Sequence, residues 1–215
     1  MSELNFIVLT GRFAAGKDTQ AGRLLNRIGI ESSEIISTGD IYTSAKSGTG
    51  EYAHFHQFIV PYIEDIDIHG KLLPDSVMTQ IVQEIISEKV RMGKETFIFT
   101  GFPRTVPQLE YFDQMISDFR QEAEANSVFI EYKITDEVSR ERTHQRRVEI
   151  EKRGEIARPW DTDEGLTKRI ATYYEQIEPM IKRLQEEGRL TSIDATRGMD
   201  EIEIETSARL SKERG

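Results

Sequence analysis

The residues best placed to do chemistry are Gly11, Gly16 and Lys17, spaced as Gly, four residues, Gly, Lys within GRFAAGKDTQ, Gly11 to Gln20. An apolar run, NFIVLT, leads into them, and a helical pattern starts at Thr19. That context suits a phosphate cradle. The glycines allow a tight turn and close backbone approach, the helix start offers N–H donors to anionic oxygens, and Lys17 adds a point charge at the transferring end. The plainer reading is an ordinary strand-to-helix turn, which the strand before and the helix after make the weaker of the two. Asp18 stands where the general pattern has Ser or Thr for Mg²⁺, and the hydroxyl comes one residue later as Thr19. An unusual metal side is therefore expected.

A second run, TFIFT, ends in Gly101-Phe102-Pro103-Arg104-Thr105, followed by Pro107 and Gln108. Parallel sheets bind ligands at such strand ends. The planar fork of Arg104 suits a phosphate clamp, and Gln108 on the next helical turn could donate to and accept from a base edge. The alternative for Arg104 is a loop arginine paired with a surface carboxylate. Ser37-Thr38-Gly39-Asp40 offers a hydroxyl and flexible backbone at the sheet's edge, or only a turn and helix cap. Arg140, Arg142, Arg146 and Arg147 crowd one helical segment, either to meet an anion or as a solvated face paired with Glu141 and Glu149.

A scaffold to position these groups is legible in the alternation of short β-rich runs at 5–10, 96–100, 127–133 and 190–193 with helical periods at 19–28, 76–92, 107–125 and 163–187. It predicts an α/β protein with a parallel sheet between helices. Thr43 to Leu73, containing EYAHFHQF, and Val148 to Asp161, containing Gly154 and Pro159, break the alternation and are expected to be substrate-covering insertions. A length of 215 residues with 37% hydrophobic and 31% charged residues suits one water-soluble domain. No apolar run reaches the roughly 20 residues that span a bilayer, and the start of the chain lacks signal-peptide features. A cytoplasmic monomer with no membrane partner is expected. With Cys 0, disulfides and thiolate zinc sites are excluded, so any metal must use oxygen or imidazole ligands, a set open to Mg²⁺. A net charge of -10 repels a nucleic-acid backbone, so DNA or RNA is not an expected partner, although a local basic cluster could still hold a small anion such as a nucleotide.

Together, GRFAAGKDTQ, STGD at Ser37 to Asp40, GKLLPD at Gly70 to Asp75, GFPRTVPQ at Gly101 to Gln108 and KRIATYYEQIEP at Lys168 to Pro179 resemble adenylate kinase segments in order and spacing, over nearly the whole chain. The resemblance implies a P-loop NTPase-type three-layer α/β fold with a parallel five-stranded sheet. It implies a core domain of residues 1-37, 76-146 and 159-215, a monophosphate-binding insertion at 38-75 and a short lid at 147-158. The implied reaction moves the terminal phosphoryl of ATP to AMP, with Mg²⁺ accompanying ATP. ATP would be held by Gly11, Ala14, Ala15, Gly16, Lys17, Asp18, Thr19, Arg142 and Arg146, and AMP by Thr38, Gly101, Arg104, Gln108, Arg158 and Arg169. The catalytic cations would be Lys17, Arg104, Arg146, Arg158 and Arg169, with Thr19 and, through water, Asp18 toward the metal. Arg153 competes with Arg146, because RGE at Arg153 to Glu155 also resembles short-lid members. Such a transfer needs no protein nucleophile, only in-line positioning and charge balance.

The departures from the family are informative. Thr100 replaces the Asp usual before GFPR, and Asp18 replaces a loop Gly, which suggests a relocated carboxylate for Mg²⁺, against the rival of neutral drift. Thr43 replaces an Arg that usually shares the acceptor phosphate, with Lys46 a candidate substitute. His54 and His56 in the enlarged insertion would either meet the acceptor or merely pack. Trp160 replaces one of two acids, leaving Asp161 to fix neighbouring arginines. A monophosphate kinase of altered or broad acceptor range, or a nucleotide-binding regulator without turnover, are the alternatives to ATP:AMP transfer. No guanine-binding signature of a switch GTPase is present.

Overall fold

The computed structural model describes residues 3–29, 31–121, 123–155 and 160–213. Strand β1 (Glu3–Thr10) runs through the middle of a five-stranded sheet. Its odd and even side chains serve two cores, because successive side chains of a strand point to opposite faces. Leu4, Phe6 and Val8 join Phe97, Phe99, Phe112 and Phe129 on one face; Ile7 and Leu9 join Ile98, Ile130 and Leu24 on the other. β2 (Ser33–Ser37), β3 (Thr96–Thr100), β4 (Glu124–Lys133) and β5 (Leu190–Asp194) complete the sheet in the order β2-β3-β1-β4-β5, with every pairing parallel. Burial on both faces explains the near-continuous apolar runs of β1 and β3. This is the expected parallel five-stranded α/β fold.

All strand carboxyl ends therefore lie on one edge. From there β1 passes into α1 (Lys17–Ile28), β2 into α2 (Thr38–Ser47), β3 into α6 (Val106–Phe119) and β4 into α7 (Asp136–Lys152). Between α2 and α5 (Asp75–Arg91) the chain forms short turns of helix, including α3 (His56–Ile59) and α4 (Ile63–Asp67). Buried Tyr52, Phe55 and Ile59 tie this stretch to the larger core. The chain then ends on β5 and α10 (Met199–Glu213).

Two elements differ from the periodicity. The helix expected over 163–187 divides into α8 (Asp163–Thr172), a π-turn (Tyr173–Ile177) and α9 (Glu178–Glu186). Pro179 in the first turn of α9 accounts for the break, since a proline has no N–H to donate and its ring would clash with the carbonyl four residues back. The helix expected to reach Ala125 ends at Phe119, because Glu124 and Ala125 pair with Glu3 and Leu4 in the sheet ladder. Tertiary pairing overrides the local pattern there.

Gly11 is where β1 must turn past β4. It has φ of 122°, and a Cβ on it would lie 2.4 Å from the Tyr132 carbonyl oxygen. Gly11→Ala is expected to lower unfolding free energy by roughly 2–4 kcal/mol through backbone strain and that collision. Urea denaturation of the variant against the parent measures it.

Candidate active site

The loop after β1, the start of α2, residues 70–73, the loop after β3 and the inward sides of α7 and α8 line one open cleft. Gly11, Ala14, Lys17, Asp18, Thr38, Gly101, Arg104, Arg146 and Arg169 all line it. These residues are up to 158 positions apart in the chain (169 less 11). Parallel topology gathers them at one sheet edge.

The phosphate loop is shaped for an anion before any arrives. Gly16 adopts φ of 89° and caps α1 without a side-chain bond, so the first N–H groups of that helix face outward. Ala15 is buried beneath the loop. Ala14 has φ of 57°, left-handed for a residue with a Cβ and costing on the order of 1–2 kcal/mol. The Lys17 ammonium curls back to donate to the carbonyls of Gly11 at 3.0 Å and Arg12 at 2.6 Å. Burial lowers its pKa to about 8; Asp18 opposes the shift, while the charges of Arg104 and Arg169 add to it. Those effects place three cations and one carboxylate within electrostatic reach.

Arg12 was not anticipated as a site residue. Its guanidinium donates to Asp136 at 2.6 Å and to the Tyr174 hydroxyl at 2.8 Å, and stacks 4.3 Å from the centre of Tyr173. The neighbouring Phe13 lies under Arg169, 5.4 Å from its guanidinium carbon. Two consecutive loop side chains thus anchor to α7 and to the α8–π-turn helix. Neither anchor carries a local signal, since the partners are more than a hundred residues away.

On the opposite side, Arg104 donates to the Thr38 hydroxyl at 2.9 Å, and that hydroxyl reaches the Thr100 carbonyl at 3.3 Å. Gly101 makes the contact geometrically feasible: at φ of 86°, a Cβ there would sit 2.4 Å from Thr38 Oγ1 and 2.5 Å from an Arg104 nitrogen. Burial holds the Arg104 pKa below its usual value, with Asp18 opposing. Gln108 does not line the cleft. Its carbonyl accepts from the Arg104 backbone N–H, and its amide donates to Asp75, which also accepts from Thr105, each at 2.8 Å. In this state Gln108 shapes the arginine loop rather than presenting an edge to a base. Ser37 caps α2 by accepting from Asp40, so the STGD turn is both a helix cap and a cleft wall.

The arginines of α7 divide by face. Arg146 reaches the cleft and donates to both oxygens of Asp161, at 2.9 and 3.1 Å, with Asp161 fully covered. Arg142, one turn earlier, turns to the loop and sheet backbone, donating to Ala14 and Ala195 carbonyls. Arg140 and Arg147 serve Thr167 and Glu151 on the surface. Arg153 is exposed beyond the end of α7 and does not line the cleft, so Arg146 is the geometrically suited one of that pair. Arg158 lies outside the described residues.

Thr43 lines the cleft, and its hydroxyl donates to the Gly39 carbonyl. Lys46 is turned away, paired with Asp67, and does not line it. Lys71, not singled out from sequence, does. His54 lies against Phe55 and His56 Nδ1 bonds the Ala45 carbonyl at 2.8 Å; both are exposed, and neither lines the cleft. Asp18 and Thr19 are exposed at the start of α1, and the buried Thr100 hydroxyl at the cleft wall has no hydrogen-bond partner among the described residues. Oxygen donors of this kind fit Mg²⁺. No group of three or more His, Cys, Asp or Glu among the described residues is arranged to hold an ion by itself, so nucleotide phosphates would complete its shell.

A glycine-bounded anion loop between the central parallel strand and α1, facing a second arginine-bearing strand end, defines a P-loop nucleotide-binding kinase fold. The family profile described as adenylate kinase matches residues 9–189. The chain is 33% identical over 197 residues to the adenylate kinase of Nitrobacter winogradskyi, covering 91% of this chain and 88% of that one. It is 31% identical to that of Maricaulis maris, covering 96% and 98%, and 30% identical to that of Thermobifida fusca, covering 91% and 93%. The chain belongs to the adenylate kinase family and is a nucleoside monophosphate kinase. No helix among the described residues is long and apolar enough to cross a membrane.

Lys17 sets a pH dependence. Its pKa is about 8 in the fold against 10.5 ordinarily, so between those values the unfolded chain binds the proton that the folded chain has released. Stability without nucleotide is therefore expected to rise with pH across that window. Urea denaturation of the parent and Lys17→Met at pH 7.5 to 10.5, roughly the interval between the two pKa values, measures the effect; equal pH slopes would exclude it.

Proposed function

We propose that the chain transfers the terminal phosphoryl of ATP to AMP, giving two ADP. One observation carries the reading: Lys17 at the end of the phosphate loop and the Arg104–Thr38 pair share one cleft, with Arg146 and Arg169 on its other wall. Loop 11–17 and Thr19 hold the donor phosphates. Segment 38–75 is the acceptor insertion, and Arg104 and Thr38 receive the monophosphate. Residues 147–158 act as a short lid, and Arg158, within that stretch, is proposed to close on the transferring group. Arg142 lies toward the donor base, and Gln108 reaches the acceptor base only after giving up its bond to Asp75.

The chemistry follows from charge. As the phosphoryl passes between oxygens, negative charge spreads over its equatorial oxygens, and fixed cations already in place lower that barrier without reorganising. Burial and the neighbouring guanidinium groups disfavour the charged form of Lys17 in the empty cleft; incoming phosphates favour that form and draw the ammonium off the loop carbonyls. Mg²⁺, when bound with ATP, supplies further charge neutralisation, with Thr19 and Asp18 as its protein-side oxygens. A second reading, an altered acceptor range, is favoured by the uncharged Thr43 in the cleft and by Lys46 being tied to Asp67. The missing pair would weaken monophosphate binding by roughly 1.5–3 kcal/mol.

A coupled assay with ATP, Mg²⁺ and a panel of AMP, dAMP, GMP, CMP and UMP decides between these readings. AMP is expected to turn over fastest, and no turnover with any of them would sink the kinase mechanism. Arg104→Ala is expected to reduce kcat/KM for the acceptor by about 10²- to 10³-fold. Asp18→Gly and Asp18→Asn are expected to raise the Mg²⁺ concentration needed for half-maximal rate; unchanged dependence in both would remove Asp18 from the metal side.

A further inference from the structure

Trp160 is the chain's single tryptophan, and it lines the cleft. Its ring centre is 6.1 Å from that of Tyr42 on α2, at 55°. The Arg169 guanidinium lies 5.4 Å from the same ring and 5.4 Å from Phe13, so one cation is shared by two aromatic faces. Gly165 allows this seat, because a Cβ there would stand 2.4 Å from the Trp160 carbonyl oxygen.

The indole nitrogen is the unexplained part. Nε1 is buried and has no hydrogen-bond partner among the described residues. An indole N–H can only donate, and burying it unpaired is unfavourable, so the position suits a ligand that accepts. The surroundings say what kind. Arg169 lies on the ring, and the next residue, Asp161, holds Arg146, whose own buried Nε is likewise unpaired. Two buried donors without a partner among the described residues, one on an indole and one on a guanidinium, suit an anionic oxygen. The ring's other neighbour is Tyr42, next to the uncharged Thr43, whereas the donor phosphates have the N–H groups of α1.

We propose that Trp160 contacts substrate, its indole N–H donating to a phosphate oxygen of the acceptor monophosphate while its ring face positions Arg169. The inference rests on the reading of the cleft as a two-nucleotide site. It makes Trp160 a neutral replacement for part of the acceptor's charge recognition: one donor that costs no further positive charge in a cleft already rich in it. The cation–π contact, worth more when desolvated, helps to hold Arg169 beside the ring.

Trp160→Phe deletes the N–H and keeps a ring; Trp160→Leu deletes both. Calorimetric titration of each variant and the parent with AMP and with ATP separately, alongside steady-state kinetics, separates the two roles. Trp160→Phe is expected to bind AMP about tenfold more weakly, the size of a lost bond to a charged group, with ATP affinity unchanged and a smaller loss of kcat than in Trp160→Leu. Trp160→Leu is expected to lower kcat as well, by about tenfold or less, since a cation–π contact of this kind contributes about one such factor. Parental AMP affinity in Trp160→Phe, or an equal loss for ATP, would overturn the contact. Equal kcat in the two variants would overturn the positioning of Arg169. If the parent itself binds no AMP, the two-nucleotide reading fails and takes this inference with it; parental binding of AMP with an unaffected Trp160→Phe defeats the inference alone.

Discussion

The arrangement of this cleft depends on holding mutually repelling cations together in a place that screens them poorly. Lys17, Arg104, Arg146 and Arg169 line one space, and burial together with two of those guanidinium groups depresses the Lys17 pKa. Each cation is held by a different device. Lys17 bonds to two loop carbonyls, Arg104 to a threonine hydroxyl, Arg146 to a buried carboxylate, and Arg169 lies between aromatic faces. Of the devices that hold Lys17, Arg104 and Arg146, only the last uses an ion-paired carboxylate, which leaves a positive field for anionic ligands. The chain as a whole carries -10, so the local field opposes the global one.

Glycines permit that arrangement through the volume they leave empty. Gly11 lets the loop leave β1 against the Tyr132 carbonyl, Gly101 leaves the space in which Arg104 meets Thr38, and Gly165 admits the Trp160 backbone. In each case a single methyl group would collide with an atom of the site or its support. The functional geometry is thus built on close approach of backbone and side chain at strand and helix starts, where parallel topology already brings the elements together.

The residues that differ from the family pattern share that neighbourhood. Thr43, Thr100, Asp18 and Trp160 all line the cleft. Relative to the family pattern, these positions lose an arginine, an aspartate and a second acid and gain the Asp18 carboxylate. Paired loss of opposite charges keeps the local balance near that of the relatives, which is consistent with a retained phosphotransfer site whose acceptor side is recognised by fewer formal charges.

The parallel α/β fold, the phosphate loop and the two strand-end motifs were legible in the sequence because they are local: a strand of apolar residues, a glycine spacing and a helix start lie within about a dozen positions. The type of several long elements followed from periodicity for the same reason, whereas α7 continues to Lys152 through the start of the stretch expected to be an insertion at Val148. The breaks at Tyr173–Ile177 and after Phe119 did not, since a π-turn and a sheet ladder are decided by what the segment packs against. Likewise Arg142 and Arg146 look equivalent along the chain, yet one turns to backbone carbonyls and the other to Asp161. Lys46 and Lys71 each pair with a carboxylate of the insertion, Asp67 and Asp65, yet only Lys71 lines the cleft, a difference that spacing does not encode. The anchoring of Arg12 and the seat of Trp160 arise from partners distant in the chain, and a side chain's role there is set by tertiary contact, which no local residue pattern encodes.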